Sequence, residues 1–456
     1  MTTLVVHPAT APLAGSVPVP SDARIGHLAL VLGALGSGDT RIAGIARGQE
    51  ATWTAACLRA LGVEVGEPGP SAIVVRGVGL GGLRQSPGAL DCGPSGATLR
   101  LLASVLVAQP FRSTLAGEAS LARASGRAFG RDSERACVSG VVAALRSRGA
   151  RIEGSVDGED VIAPPLVVGP SSEGRCLSGI EYESPTPSSE IKTALLLSGL
   201  YADGTTRFHE PTVSADHVER MLGALGAPIR TVGPLVQLDP EGWNDELAAF
   251  AMTIPGDLSA AAFLLAAAQL VPGSRVVARG VGINPTRAGW MTIARDMGAG
   301  IEVEPHGEQT GEPLAEIHAW SAPLRGVAFG GETLARAADD LPLACALGAR
   351  AAGTTRLVDA GEHLVLVASI VQMLRAFGVA CEPRPDGLDI EGGDEPLAPA
   401  DVDARGDPWL AMTCAVLALV ARGPCRVRGA GGIGARYPKF VATLRALGAR
   451  VDVVPE

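Results

Sequence analysis

The sequence predicts an α/β fold of two domains, built from six copies of one βαβαββ-type unit of roughly 70 to 90 residues. Two recurring phrases lead to this prediction. An apolar helix end followed by glycine and a β-branched run occurs six times, and a second phrase that begins with glycine follows most helices. Hydrophobic residues make up 47% of the 456 residues, which is enough for two full cores.

The recurring helix end is nearly identical between units. It reads Leu-Arg-Ala-Leu-Gly at residues 58–62 and again at residues 444–448. A glycine just past an apolar helical run can close the last turn in the left-handed conformation, and the valine-rich run after it is typical of a strand. Six glycines are therefore predicted to join a helix to a strand: Gly62, Gly149, Gly226, Gly298, Gly378 and Gly448.

Apolar periodicity with stop signals predicts twelve helices, two per unit. They cover residues 24–36, 49–62, 95–108, 136–149, 188–201, 215–226, 258–270, 287–298, 340–352, 365–378, 407–422 and 437–448. The Pro/Gly/Asp-rich stretch 239–251 is predicted to be the hinge. One domain then comprises 21–244, and the other comprises 1–20 with 245–456. The polar stretch 122–140 is predicted to be a surface loop.

Composition excludes several classes of function. The formal charge of −10 and the aromatic content of 4% provide neither a basic stripe nor stacking platforms, so no nucleic-acid partner is expected. The eight cysteines occur singly and without zinc-ligand spacing, which predicts no metal site and a reducing compartment. No signal peptide and no apolar run of about 18 residues is found, so a cytoplasmic protein without a membrane partner is expected.

The words at the predicted helix starts resemble those of a known family. They are Pro-Ser-Asp-Ala-Arg-Ile-Gly-His at 20–27, Asp-Cys-Gly-Pro-Ser-Gly at 91–96, Ser-Ser-Glu-Ile-Lys-Thr at 188–193, Ser-Ala-Asp-His at 214–217, Pro-Gly-Asp-Leu-Ser at 255–259 and Asn-Pro-Thr-Arg at 284–287. In this order, over about residues 12–454, they resemble the EPSP synthase (3-phosphoshikimate 1-carboxyvinyltransferase) family. The resemblance implies two inside-out α/β barrel domains that close over substrates. Helix N-termini would then hold phosphate and carboxylate groups.

Several positions that carry a charge in the family are apolar or neutral here. They include Ala23, Leu28, Ala215, Leu364, Leu366, Ile370, Trp409 and Ala435. A hydrogen bond to a charged group contributes about 1.5–3 kcal/mol. Losing five or more such contacts predicts that phosphoenolpyruvate is not bound and that ordinary carboxyvinyl transfer does not occur.

The resemblance assigns acid/base chemistry to Asp339. The alternative is that the Asp339 side chain only caps the N-terminus of the following helix. Ser188 and Ser189 match substrate-binding serines, and as helix-start residues they would also serve as caps. Glu190 replaces a neutral residue of the family. If the two domains close, Glu190 and Asp339 would face each other as a pair of carboxylates suited to elimination.

Three further residues are predicted to bind substrate. Arg24, with His27, is the candidate anchor for a carboxylate, although a packed histidine is the alternative for His27. His363 is a polar residue at the mouth of the expected cleft. Arg100 lies inside an apolar helix and is expected to brace the cleft rather than to touch substrate.

These residues favour an enzyme that acts on a shikimate-like cyclic hydroxy acid by elimination or dehydration, without phosphoenolpyruvate, a metal or a cofactor. Two alternatives stay open. One is a true 3-phosphoshikimate 1-carboxyvinyltransferase with an altered site, and the other is a non-catalytic member of the family that binds a metabolite or an unknown partner protein.

Overall fold

Six four-stranded sheets form the framework of the part of the chain that the structure describes. The structure is a computed structural model that describes residues 2–45, 50–69, 71–118, 131–156, 162–170 and 177–455. These residues divide into two compact units. Unit 1 comprises Met1–Pro20, Gly256–Gly307 and Pro313–Glu456, and unit 2 comprises Ser21–Pro255 with the short piece Glu308–Glu312. The chain passes from unit 2 to unit 1 at Pro255, eleven residues beyond the boundary expected at residue 244.

The helices of the described residues include a counterpart for each of the twelve predicted ones. They are α1 Ala23–Leu35, α2 Ala51–Ala60, α3 Gly96–Leu106, α4 Arg131–Ser147, α5 Ser189–Gly199, α6 His217–Ala224, α7 Leu258–Leu270, α8 Gly289–Asp296, α9 Gly331–Ala335, α10 Leu341–Gly348, α11 Leu364–Ala376, α12 Pro408–Ala418, α13 Ile433–Arg436 and α14 Phe440–Ala446. The short α9 and α13 were not predicted.

The strands are equally regular in their spacing. They are β1 Thr2–Val6, β2 Ala14–Pro18, β3 Ser37–Ala43, β4 Glu64–Val65, β5 Ile73–Val78, β6 Leu90–Asp91, β7 Ser113–Ala116, β8 Arg151–Val156, β9 Ile162–Gly169, β10 Leu177–Glu183, β11 Ala202–His209, β12 Ile229–Val232, β13 Leu235–Leu238, β14 Ala251–Thr253, β15 Arg275–Gly282, β16 Gly300–Gln309, β17 Glu312–Trp320, β18 Ala328–Phe329, β19 Gly353–Leu357, β20 Ala380–Arg384, β21 Gly387–Gly392, β22 Asp401–Asp403, β23 Cys425–Arg428 and β24 Val451–Pro455.

One unit of the repeat shows how each sheet is built. Strand β10 runs parallel to β11 because α5 carries the chain back between them, and β12 and β13 form an antiparallel hairpin after α6. The sheet order is β10-β11-β13-β12, with Phe208 opposite Val236. This is the predicted βαβαββ unit.

Apolar helices fill both cores. All thirteen residues of α7 and all eight of α10 are buried in unit 1, and most residues of α3 and α5 are buried in unit 2. Alanine, leucine and glycine dominate these helices, so neighbours pack closely with few aromatic side chains. The buried helices therefore lie inside each unit, as expected for an inside-out α/β barrel.

The six predicted helix-to-strand glycines all adopt the left-handed conformation, with φ between 77° and 106°. Only glycine takes this conformation without steric cost, because it has no Cβ. The recurring phrase in the sequence thus reports a real backbone requirement at the end of each helix.

The prediction of a surface loop over residues 122–140 is wrong in its second half. Helix α4 begins at Arg131, and residues 119–130 lie outside the described part of the chain. The polar start and the Ser139-Gly140 pair obscured an amphipathic helix. A Cβ at Gly140 would make ordinary van der Waals contact, at 3.4 Å, with Ile191 Cδ1 of α5, so α4 faces α5 at this position.

No helix among the described residues is both long enough and apolar enough to cross a membrane. Five of the cysteines that the structure describes are buried, as their apolar surroundings in the sequence predicted: Cys57, Cys92, Cys345, Cys414 and Cys425.

Candidate active site

A charged cluster around Asp339 lies among the helix starts of unit 1. Arg287, which ends a short 3₁₀ turn, donates from Nη1 to Asp339 Oδ2 at 2.8 Å and from Nη2 to Ser259 Oγ at 3.1 Å. The Arg287 side chain is 14% exposed and that of Asp339 is 34% exposed. Arginine thus holds the half-buried Asp339 carboxylate in place by a charge-assisted hydrogen bond.

Asp340 lies directly behind this pair. It is 3% exposed, and its Oδ2 accepts a hydrogen bond of 3.2 Å from Ser259 Oγ. Burial raises the pKa of Asp340 to about 7, and the neighbouring Asp339 adds to the rise while Arg287 opposes it. Its side chain does not cap α10. The cluster therefore contains one half-buried carboxylate, Asp339, and one buried carboxyl group, Asp340.

The start of α11 is apolar and exposed. His363 precedes it, half-buried, at the end of a 3₁₀ turn. Leu364 is 41% exposed and Val365 is 71% exposed. The family resemblance would place cations at Leu364 and, further along this helix, at Leu366 and Ile370. In unit 1, the cation that contacts Asp339 therefore does not come from α11. It is Arg287, from the short 3₁₀ turn.

Helix α12 starts with a capped and stacked end. Asp407 Oδ1 accepts from the backbone N–H groups of Trp409 and Leu410, at 2.8 and 3.0 Å. The Trp409 ring stacks on Phe263 of α7 with centroids 5.6 Å apart. Trp409 therefore has a packing role at a position where a charged residue was implied.

In unit 2, the predicted residues Ser188, Ser189 and Glu190 lie together at the start of α5. Ser188 caps the helix, since its Oγ accepts from Ile191 N at 3.2 Å, and Ser189 Oγ donates to Glu190 Oε2 at 3.1 Å. All three are half-buried. This places two hydroxyl groups and one carboxylate at a helix N-terminus, where backbone N–H groups favour an anion.

A buried ionic group supports this helix start. Lys192 Nζ lies 2.9 Å from Glu210 Oε1 and 2.8 Å from Glu219 Oε1, with the three side chains 0%, 1% and 5% exposed. Burial lowers the pKa of Lys192, but the Glu219 and Glu210 carboxylates outweigh this effect and raise it. Burial raises the pKa of Glu219 to about 7, although Lys192 opposes the rise.

The other predicted residues of unit 2 lie at the start of α1. Asp22 caps this helix and accepts from Arg24 N at 2.8 Å, which leaves the Arg24 side chain at an exposed position. His27 is 1% exposed, and its Nδ1 lies 2.8 Å from Thr54 Oγ1. This burial favours the packed-histidine alternative for His27. Arg100 is half-buried within α3.

The structure thus assembles part of the predicted site within each unit. Unit 2 brings Ser188, Ser189 and Glu190 together, whereas Asp339 belongs to unit 1, so their pairing stays a prediction. The charged residues that were missed include Arg287 and Lys192. Both belong to quoted family words, and Lys192 is also a lone cation in an apolar helix, which is a sign of a buried ion pair.

The described residues contain no group of three or more metal-ligating side chains that could hold a metal ion. A groove of about 1310 Å³ lies in unit 2, lined by residues such as Gln109, Tyr201 and Trp243. It contains none of the predicted site residues.

Comparisons with known proteins agree over the whole chain. The family model of EPSP synthase (3-phosphoshikimate 1-carboxyvinyltransferase) matches residues 8–444. A 3-phosphoshikimate 1-carboxyvinyltransferase of Synechococcus sp. is 40% identical, over 95% of this chain and 94% of the relative. A second, from Geobacter sulfurreducens, is 38% identical over 99% and 100%. The EPSP synthase structure from Acinetobacter baumannii matches with a TM-score of 0.88 and 31% identity, covering 100% of both chains.

These relatives overturn the prediction of an elimination or dehydration without phosphoenolpyruvate. That prediction counted missing side-chain cations, yet proteins that match almost end to end at about 40% identity are named carboxyvinyltransferases. Helix N-termini also bind phosphate through backbone N–H groups, so side-chain cations alone do not decide the question. The likeness extends through both units and all six sheets, and the chain belongs to the EPSP synthase (3-phosphoshikimate 1-carboxyvinyltransferase) family.

Proposed function

We propose that the chain is a 3-phosphoshikimate 1-carboxyvinyltransferase, which transfers the carboxyvinyl group of phosphoenolpyruvate to a hydroxyl group of 3-phosphoshikimate. The observation that carries this proposal is the match, at 38–40% identity and over at least 94% of their length, to relatives with that name. Asp339 and its arginine partner supply the ionisable group that such a transfer needs.

The chemistry requires two proton movements. The acceptor oxygen forms a bond to C2 of phosphoenolpyruvate and loses its proton, while the methylene carbon gains one. Loss of that proton and of inorganic phosphate then restores the vinyl group. Asp339 is the proposed acid/base residue. Arg287 holds its carboxylate in place by a charge-assisted hydrogen bond of 2.8 Å.

Phosphate and carboxylate groups would be held by the helix starts. Ser188 Oγ accepts from Ile191 N and can donate its own proton to a substrate oxygen. Ser189 lies beside it, and Arg24 at the start of α1 offers an exposed cation. Because α11 begins with apolar side chains, backbone N–H groups would contribute a larger share of anion binding than in a site rich in cations.

The test is to incubate the protein with 3-phosphoshikimate and phosphoenolpyruvate and to follow release of inorganic phosphate. Wild type should release phosphate only when both substrates are present, and Asp339→Asn should reduce turnover by about 100-fold or more. Asp386→Asn, at an exposed turn outside the cluster, is the matched control. No turnover by wild type, with 3-phosphoshikimate still bound in calorimetry, would favour the non-catalytic alternative.

A further inference from the structure

One buried carboxylate in unit 2 accepts hydrogen bonds from two separate loops. Glu210 follows β11 directly. Its Oε2 accepts from the backbone N–H of Ser188 at 3.1 Å, at the start of α5. Its Oε1 accepts from the backbone N–H of Ser214 at 2.9 Å and from Ser214 Oγ at 3.0 Å, just before α6. Glu210 thus joins the loops from which two helices begin.

Lys192 fixes the carboxylate from the other side. Its ammonium group donates to Glu210 Oε1 at 2.9 Å and to the carbonyl oxygen of Ser214 at 3.2 Å. Glu219 of α6 provides the second carboxylate of this group. Because all three charges are buried, the arrangement has little freedom to rotate, and removing one member leaves a buried charge without its partner.

The geometry of the carboxylate makes its two oxygen atoms unequal. Oε1 serves three donors, whereas Oε2 accepts the Ser188 N–H. A glutamine at this position would keep its oxygen on the side of Lys192, where three donors require an acceptor. Its NH₂ group would then face the Ser188 N–H, so two donors would oppose each other. Glu210→Gln should therefore release Ser188 specifically and leave Lys192 paired.

We propose that Glu210 is a positioning residue for the acceptor substrate, which holds the Ser188–Ser189 helix start and the Ser214 loop in one fixed geometry. This inference rests on the proposed function, in which Ser188 and Ser189 bind 3-phosphoshikimate. Glu210 is 1% exposed and does not touch substrate itself. Glu210 thus supports binding of the phosphorylated acceptor, whereas the acid/base step belongs to Asp339 of the other unit.

Unit 2 offers a matched control on the same helix. At the opposite end of α5, Ser198 Oγ accepts from Arg148 Nη1 at 2.7 Å, and Arg148 is 1% exposed. Ser198→Ala removes a buried hydrogen bond to a charged group, as Glu210→Gln does, but far along the helix from Ser188. Both variants should lower the melting temperature, and only one should change substrate binding.

The experiment compares steady-state kinetics of wild type, Glu210→Gln and Ser198→Ala, together with amide hydrogen exchange at Ser188. Glu210→Gln should raise KM for 3-phosphoshikimate about tenfold or more, change kcat less than about threefold, and speed exchange of the Ser188 N–H. Ser198→Ala should leave KM and that exchange rate at wild-type values. Should Glu210→Gln not fold, Glu210→Asp keeps the charge beside Lys192 but shortens the reach to Ser188, and it should raise KM likewise.

The outcomes separate the two proposals. Wild type without turnover overturns the proposed function, and this inference with it. If wild type is active and Glu210→Gln retains a KM within about twofold of wild type, the inference alone is overturned. An equal rise of KM in Glu210→Gln and Ser198→Ala also overturns it, because KM would then follow stability rather than the position of Ser188.

Discussion

Replacing Asp340 by asparagine should flatten the pH dependence of the protein's stability. Burial raises the pKa of Asp340 from the ordinary 3.8 to about 7, and Asp339 and Asp257 add to the rise while Arg287 and Ser259 oppose it. At pH 5 the folded protein keeps this carboxyl group protonated, whereas the unfolded chain ionises it. A raised pKa therefore contributes stability at low pH that is lost as the pH rises to about 7.

The size of the effect follows from the two pKa values. Each pH unit between them changes the free energy of unfolding by about 1.4 kcal/mol per proton. From pH 5 to pH 8, wild type should lose about 3 kcal/mol at this one residue, most of it below pH 7. Asparagine has the same shape as the protonated acid and does not ionise, so Asp340→Asn should not show this loss.

The assay is urea unfolding of both proteins at pH 5 and pH 8, followed by circular dichroism. The stability difference, variant minus wild type, should shift in favour of the variant by about 3 kcal/mol between the two pH values. Asp386→Asn, in an exposed turn, controls for the general effect of removing a carboxylate. A shift within about 0.5 kcal/mol, the scale of a surface substitution, would refute the reasoning from burial.

Three other predictions concern the site and the backbone. 3-Phosphoshikimate should raise the melting temperature more than shikimate at equal concentration, since the phosphate adds contacts made only in the folded state; equal shifts in a thermal melt would contradict a phosphate site. Glu190→Gln should lower KM for 3-phosphoshikimate about threefold by removing a like charge from the α5 start, and an unchanged KM would place Glu190 away from the phosphate. Gly226→Ala should cost about 1 kcal/mol in urea unfolding, because Gly226 has φ of 86° and its Cβ would meet no neighbour, so the loss isolates the left-handed conformation.

The repeat could be predicted because it depends on local chemistry. Gly62 and Gly448 lie 386 residues apart, yet each ends a helix in the same left-handed conformation, and the sequence around each is sufficient to predict it. Helix α4 was missed at its start because its polar first turns gave no apolar period. Local signals predicted the elements, and their boundaries varied by a few residues.

The site was harder to predict because its contacts join distant parts of the chain. Asp339 could be assigned from the family words, but its contact with Arg287 spans 52 residues and no spacing indicates it. Lys192 meets carboxylates 18 and 27 residues away, on different elements. The exclusion of phosphoenolpyruvate was wrong because it judged binding from side chains alone, whereas helix starts also present backbone donors.

The division of the chain between the units determines the order in which they can fold during synthesis. Unit 2 is almost one continuous segment, Ser21–Pro255, so nearly all of it has left the ribosome before most of unit 1 is translated. Unit 1 must wait, because β1 at the very start pairs with β23 and β24 near the end, with Val6 opposite Cys425 and Val451. For most of translation, the first strand is therefore an apolar segment, Leu-Val-Val, without its partner strands. An unpaired apolar strand of this kind is prone to aggregation, and a chaperone that covers it would protect the nascent chain.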